Sequence, residues 1–224
     1  MKRQCSAIAR PWVSIVSLLA VLLAFVAFAA FDRARPAGTP GVVSLELAFS
    51  AGEFARVLRE WGPQGVAAYE RSTFLVDYWF PLAYALLLAS LTAQVTGDPG
   101  RPAGRRQSAL LALPILAAAL DWLENTVHLL LLRAMASIST LAVMTASLAA
   151  LVKWFLLAVS IVVVLLACAG RLRARWKEVT SHREWMVDAV RMGSSQFEML
   201  SLLCRLGSST NSGVPSRNTH ALEA

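Results

Sequence analysis

Four polar side chains recur within one apolar stretch of this chain, where Asp121, Glu124, Asn125 and His128 stand in the sequence DWLENTVH. Residues spaced by three and four positions share one face of a helix, so these side chains form a single polar stripe. Carboxyl, amide and imidazole groups can bind a cation or a proton, join helices by hydrogen bonds, or act as a general base. At membrane depth an ionisable group costs at least ~2.5–3.5 kcal/mol, so the stripe indicates a partner, a cavity or a ligand.

Two other apolar segments contribute ionisable or hydroxyl groups to the same candidate cluster. Asp77, Pro81 and Tyr84 project from one side of the earlier segment, and Lys153 lies in the later one. Because proline has no N–H, the carbonyl of residue 77 is free to bind another group or to mark a bend. A helix rises about 1.5 Å per residue, which places Glu124 and Lys153 at similar depth. The predicted cluster therefore contains the residues Asp77, Tyr84, Asp121, Glu124, Asn125, His128 and Lys153.

The composition identifies the elements that must position these residues. Of 224 residues, 57% are hydrophobic and 16% are charged, compared with roughly 45–50% and 25% in soluble domains. Segments of about 20 apolar residues can cross a bilayer, and four are present, at residues 13–31, 73–95, 109–132 and 147–169. We therefore predict an all-α integral membrane protein, a four-helix transmembrane bundle. Alanine and serine, rather than a GxxxG motif, would allow close helix contact, as at Ala117, Ala118, Ala146, Ala149 and Ser160.

Lysine and arginine set the predicted orientation, because short cytoplasmic loops are enriched in them. They concentrate in segments 1–12, 96–108 and 170–206, whereas the charges of segment 32–72 are balanced and those of 133–146 are nearly absent. This distribution predicts a multi-pass protein of the cell (inner) membrane with cytoplasmic N- and C-termini and two extracytoplasmic loops.

The net charge of +7 is explained by a basic, amphipathic cytoplasmic helix at 170–206 that binds anionic inner-leaflet lipids. We expect no nucleic-acid partner. The final segment, 207–224, has the composition of a disordered tail.

The first apolar segment has a second interpretation. A basic start, an apolar run and the sequence Ala27-Phe28-Ala29 resemble a secretory signal with its cleavage site. The run is longer than the roughly 7–15 residues of a typical signal core, which favours a retained span or signal anchor. Cleavage would leave three spans and the same cluster.

The first extracytoplasmic loop contains a helix-start signature. Ser50 and Glu53 form a capping box, Phe49 and Phe54 form a hydrophobic staple, and Gly62-Pro63 stops the helix, which predicts an amphipathic helix at 51–61. We expect this helix to be interfacial, with its apolar face in the headgroups, or to cap the bundle. Apolar residues alternate over 43–49, a weak strand signal that extended coil would also satisfy.

Three functions are compatible with the cluster. A structural or interaction role is slightly favoured, with Lys153 paired to Glu124 or Asp121 and the other groups bonded between helices. Binding or transport of a small molecule, an ion or a proton by a homo-oligomer is the second. The third is a membrane-embedded enzyme acting on a lipid, with Asp121 or Glu124 as base, although no nucleophile motif accompanies them.

Among ligands and partners, a metal site of Asp77, Glu124 and His128 is weakly indicated, and we predict no metal and no cofactor. The lipid bilayer is the expected partner, with a homodimer or another membrane protein as a further candidate.

Two short motifs carry a resemblance to known proteins. Around Asp77, Pro81 and Tyr84, and again around Asp121, Glu124 and Asn125, the chain resembles a group of uncharacterised small bacterial inner-membrane proteins with four spans. The resemblance covers roughly residues 43–169. It implies the four-span fold and no particular activity.

Overall fold

The structure, a computed structural model, describes residues 8–97, 104–135 and 137–208, without the side chains of 181–182 and 184–208. Over these residues the regular structure is entirely helical, which confirms the predicted all-α class. The helices are α1 (Pro11–Asp32), α2 (Val42–Glu46), α3 (Ala51–Ser72), α4 (Phe80–Thr96), α5 (Arg105–Arg133) and α6 (Thr140–Ser208), with a π-helical turn, Thr73–Asp77, between α3 and α4. Most of the expected N-terminal segment 1–12, much of the 96–108 connection and most of the 207–224 tail lie outside the described residues.

The chain divides into two compact units, Met1–Gly170 and Arg171–Ala224. Helix α6 contributes its residues up to Gly170 to the first unit and the remainder to the second. In the second unit the side chains from Arg171 to Thr180 are exposed along a continuous helix. The apolar face predicted for segment 170–206 lies mostly on side chains outside the described residues.

Among the residues that the structure describes, three helical stretches are long and apolar enough to cross a membrane: Pro11–Asp32, Arg105–Arg133 and Thr140–Thr180. A fourth arises if Ala51–Asp77 and Phe80–Thr96, which meet at an angle of 41°, count as one bent span. The second predicted span, 73–95, is therefore not a straight α-helix. It begins with the π turn, breaks at Tyr78 and Trp79, and continues from Pro81 in the first turn of α4, because proline cannot supply the N–H that a continuous helix needs.

Small side chains allow the long helices to approach one another. Helix α4 packs against both α1 and α5. The core between them consists of Val21, Tyr84, Ala85, Leu88, Ala117 and Ala118. All five of the small residues predicted at helix contacts, Ala117, Ala118, Ala146, Ala149 and Ser160, are buried. Their burial is the expected consequence of packing without glycine motifs.

A chain of neutral hydrogen bonds joins α1 to α4, and we call it the hydroxyl network. Gln94 Nε2 donates to Ser14 Oγ at 2.6 Å, and the hydroxyl groups of Ser14 and Ser90 lie 2.7 Å apart. Ser90 Oγ in turn donates to the carbonyl of Ile8 at 2.8 Å. Since Ser90 uses its proton on Ile8, Ser14 donates to Ser90, and both hydroxyls are satisfied. The first apolar segment is thereby bonded into the bundle.

Helices α2 and α3 form a second core at the end of the bundle where α5 ends and α6 begins. Phe54, Val57, Leu58 and Trp61 of α3 are at most 2% exposed, and they pack with Leu131 of α5 and Val143 of α6. The expectation of an interfacial helix in the headgroups is therefore wrong, and the bundle-capping alternative is what the structure shows. Burying side chains of the Phe, Val or Leu type stabilises the fold by about 1.5–3 kcal/mol each, which favours contact with the bundle.

Local structure around α2 and α3 differs from the sequence prediction at two further points. The segment predicted as a strand or coil contains the short helix α2, because Leu45 and Ala48 are fully buried and the helical turn brings both to the core. Helix 51–61 does stop at Gly62, whose φ of 67° is accessible to glycine. A second helical stretch then starts at Pro63 and runs to Ser72, which the stop signal did not predict.

Candidate functional site

Lys153 lies at the centre of a buried ionic cluster. Its Nζ is 2.6 Å from Glu124 Oε2, 3.1 Å from Asp121 Oδ1 and 3.7 Å from Glu46 Oε2. These four residues, which we call the Lys153 cluster, are at most 8% exposed. One ammonium group therefore contacts carboxylates from α2 and α5 while it is itself carried by α6.

Helix geometry explains how the cluster forms. Asp121 and Glu124 are three residues apart on α5 and so present their carboxylates from one face. Lys153 shares a helix face with Ala149 and Ala146, which lie four and seven residues before it and are both buried. The small side chains on this face allow α6 to approach its neighbours closely. Glu124 and Asp121 both contact the same Nζ, whereas the sequence prediction left one or the other as the partner.

Glu46 is a member of the cluster that sequence reasoning missed. It was counted among the balanced charges of the 32–72 loop, but α2 brings its carboxylate to Lys153 and to Trp154, whose Nε1 donates to Glu46 Oε2 at 2.9 Å. The available signal was a single charge within the otherwise apolar run VVSLELAF. A lone charge in such a run is costly to bury unless it has a partner.

Asp121 is the best-satisfied carboxylate of the cluster. Tyr84 OH donates to its Oδ2 at 3.0 Å, Lys153 donates to Oδ1 at 3.1 Å, and Asn125 Nδ2 lies 3.5 Å from the same Oδ1. Asn125 Nδ2 also donates to the backbone carbonyl of Asp77 at 3.3 Å, which is the carbonyl that Pro81 leaves without a helical donor. The break between the π turn and α4 is thus bonded to α5, while the Asp77 side chain is partly buried beside it.

His128 extends the stripe toward α3. Its Nδ1 is 2.9 Å from Tyr69 OH, and its ring packs against Phe54 with centroids 5.5 Å apart. Tyr69 was missed because it precedes the predicted span, and only the second half of α3 returns it to the bundle. His128 is fully buried, and its Nε2 has no hydrogen-bond partner among the residues that the structure describes.

The charges of the cluster do not balance. Three carboxylates, of Glu46, Asp121 and Glu124, surround the one ammonium of Lys153. Glu124 is the most deeply buried of the three, and its Oε1 finds no donor in the described part of the chain. An unpaired ionised oxygen in such surroundings is unfavourable, because burial removes the water that would stabilise the charge.

The weakly indicated metal site does not form. Among the side chains that the structure describes, no three His, Cys, Asp or Glu groups are arranged to hold a metal ion. His128 binds Tyr69, and Glu124 binds Lys153, so the two are engaged elsewhere.

An aromatic depression of about 410 Å³ lies on the outside of α4 and α5, next to the helix break. Its lining residues are Phe74, Tyr78, Trp79, Leu82 and Trp122. The depression is fixed by two hydrogen bonds, from Trp122 Nε1 to the Tyr78 carbonyl at 2.9 Å and between the Tyr78 and Thr126 hydroxyls at 3.1 Å. Uncharged walls of this kind suit apolar groups such as lipid chains.

Comparison of the chain with known protein families, curated proteins and solved structures finds no match. The resemblance to small bacterial membrane proteins therefore depends on the two short motifs alone.

Proposed function

We propose that this chain is a multi-pass protein of the bacterial inner membrane with a structural or interaction role, in which the Lys153 cluster joins the spans. Four spans would result if the bent stretch from Ala51 to Thr96 crosses once, together with the three long apolar helices. The arginine and lysine distribution supports cytoplasmic termini. The exposed basic residues Arg173, Arg175 and Lys177 of α6 would then face anionic inner-leaflet lipids.

One observation supports the joining role most directly: the Lys153 ammonium contacts three carboxylates carried by two other helices. In a membrane, polar side chains between helices are a principal source of specific association, since lipid tails are as apolar as the helix surfaces. The cluster therefore defines which faces of α2, α5 and α6 meet. A second copy of the chain or another membrane protein would be the interaction partner.

Thermal unfolding in detergent tests this role with Lys153→Met, Asp121→Asn and the double variant. Lys153→Met should lower stability by about 3–5 kcal/mol, because it leaves buried carboxylates without a cation. The double variant should recover part of that loss. Lys177→Met, which changes an exposed lysine of the same helix, serves as the control and should unfold as the wild type does.

Two results would contradict the proposal. One is a Lys153→Met protein as stable as the Lys177→Met control, which would show that the cluster does not hold the helices together. The other is recovery of the wild-type chain from the soluble fraction without detergent, which would exclude the membrane location itself.

A further inference from the structure

We propose that Glu124 and His128 form a proton-binding site, in which Glu124 carries an exchangeable proton on Oε1 and this O–H is hydrogen-bonded to His128 Nε2 through one water molecule. The inference does not depend on the joining role of the cluster. It assigns a ligand, the proton, to two atoms that the described structure leaves without partners.

The two unpartnered atoms belong to neighbouring side chains. Glu124 and His128 are four residues apart on α5, so their Cβ atoms are about 5–6 Å apart on one face of the helix. Both residues are fully buried, and Glu124 Oε1 and His128 Nε2 lack hydrogen-bond partners. The two atoms are not in direct hydrogen-bond contact, so a proton on Oε1 and one bridging water molecule are what would satisfy both.

The charges of the Lys153 cluster support a protonated Glu124 rather than an ionised one. Three ionised carboxylates around one ammonium would leave two uncompensated negative charges, and one bound proton reduces these to one. A metal ion would need several converging ligands, which the described residues do not provide. A proton needs no shell of several ligands.

Glu124 is the carboxylate of the cluster with one oxygen left unpaired, because its Oε2 lies 2.6 Å from Lys153 Nζ while its Oε1 has no partner among the described residues. Asp121 receives hydrogen bonds from Tyr84 and Lys153, and Glu46 receives one from Trp154, and such donors stabilise a carboxylate. Glu124 Oε1 receives none. The proton therefore belongs on Glu124.

The surroundings of His128 explain why the proton stays on oxygen. The ring lies among Phe54, Tyr69 and the apolar core of α3, where an imidazolium would lose its hydration. With the proton on Glu124, Nδ1–H donates to Tyr69 OH and the lone pair of Nε2 accepts from the bridging water molecule. Both members of the pair remain uncharged.

Ionisable side chains of five neighbouring elements and of α5 itself surround Glu124 and His128. They are Glu46 of α2, Tyr69 of α3, Asp77 of the π turn, Tyr84 of α4, Asp121 of α5 and Lys153 of α6. Four of these groups are acids or phenols near the carboxylate, and Asp77 adds a further carboxyl. Release of the proton therefore leaves an additional negative charge in an already acidic site.

Infrared difference spectroscopy of the full chain in detergent tests the proposal, because a protonated carboxylic acid has a C=O stretching band that a carboxylate lacks. The wild type should show a buried acid band at neutral pH that disappears on alkaline titration, and Glu124→Gln should abolish it. The matched control is Glu53→Gln, which changes an exposed glutamate of α3 and should leave the band intact. Glutamine has the shape of the neutral acid, so the variant should fold.

A second variant keeps the test decisive if Glu124→Gln fails to fold. His128→Phe removes the acceptor of the bridging water molecule, so the midpoint at which the band disappears should fall by about one pH unit, the equivalent of one lost hydrogen bond. The proposal is overturned if the wild type shows no acid band, if Asp121→Asn or Glu46→Gln removes the band while Glu124→Gln retains it, or if His128→Phe leaves the midpoint unchanged.

Discussion

The Lys153 cluster and the hydroxyl network both join helices through buried polar side chains, but their chemistry differs. In the hydroxyl network, Gln94, Ser14 and Ser90 pass hydrogen bonds in one direction to a backbone carbonyl, and each hydroxyl has a donor and an acceptor. In the Lys153 cluster, carboxylates outnumber ammonium groups three to one. A neutral network is sufficient to join two helices, so the excess acid of the cluster indicates a property beyond joining, which we assign to proton binding.

The largest expected effect belongs to the centre of the charged network. Asp121→Ala removes the carboxylate that accepts from Tyr84 and from Lys153, and hydrogen bonds to charged groups contribute about 1.5–3 kcal/mol each, so the free energy of unfolding in detergent should fall by about 3–5 kcal/mol. Asp32→Ala is the control, because that carboxylate is 55% exposed in its pair with Arg35 and surface pairs contribute only about 0–1 kcal/mol. Equal losses in the two variants would remove the distinction between buried and surface charge.

An intermediate effect should come from the edge of the same network. Tyr84→Phe deletes one hydroxyl that donates to the Asp121 carboxylate, and hydrogen bonds to charged groups contribute about 1.5–3 kcal/mol. Tyr78→Phe deletes a hydroxyl bonded to exposed Thr126 and should cost less than about 1 kcal/mol. Denaturant titration of both variants tests the order, and a costlier Tyr78→Phe would contradict it.

The smallest effect is expected in the hydroxyl network. Ser14→Ala interrupts the path from Gln94 to Ser90, and a neutral hydrogen bond between membrane helices contributes roughly 0.6 kcal/mol, with a maximum near 1.7. Ser44→Ala, at an exposed serine of α2, is the control in the same unfolding experiment. If Ser14→Ala destabilised the protein as much as Asp121→Ala, charge would not be what distinguishes the two networks.

The parts of the site that follow from helix geometry could be predicted from the sequence. The spacing of Asp121, Glu124, Asn125 and His128 fixes a shared face, and rise per residue brings Lys153 level with Glu124, because both quantities are local properties of a helix. Pro81 likewise predicts that the carbonyl of residue 77 lacks a donor within its own helix, since the missing N–H is a property of proline itself. These inferences needed no knowledge of the chain path between the helices.

Glu46 and Tyr69 could not be found in the same way. Both lie in the connection between the first two apolar helices, and their positions depend on how Leu45, Ala48 and the apolar face of α3 pack against Leu131 and Val143. Five residues of α2 are too few for helical and strand periodicities to be told apart, which is why the segment resembled a strand. The amphipathic face of α3 was visible, but the sequence could not decide whether lipid headgroups or the bundle would cover it.

The contact between Lys153 and residues as distant along the chain as Glu46 sets an order on assembly. A ribosome produces the two acidic residues of α5 and the acidic residue of α2 before it produces Lys153, and chains acquire structure from the N-terminus during synthesis. Until α6 is synthesised, the carboxylates of α2 and α5 lack the ammonium group of Lys153. Lys153 is thus the last-synthesised member of the cluster and the one that supplies its positive charge.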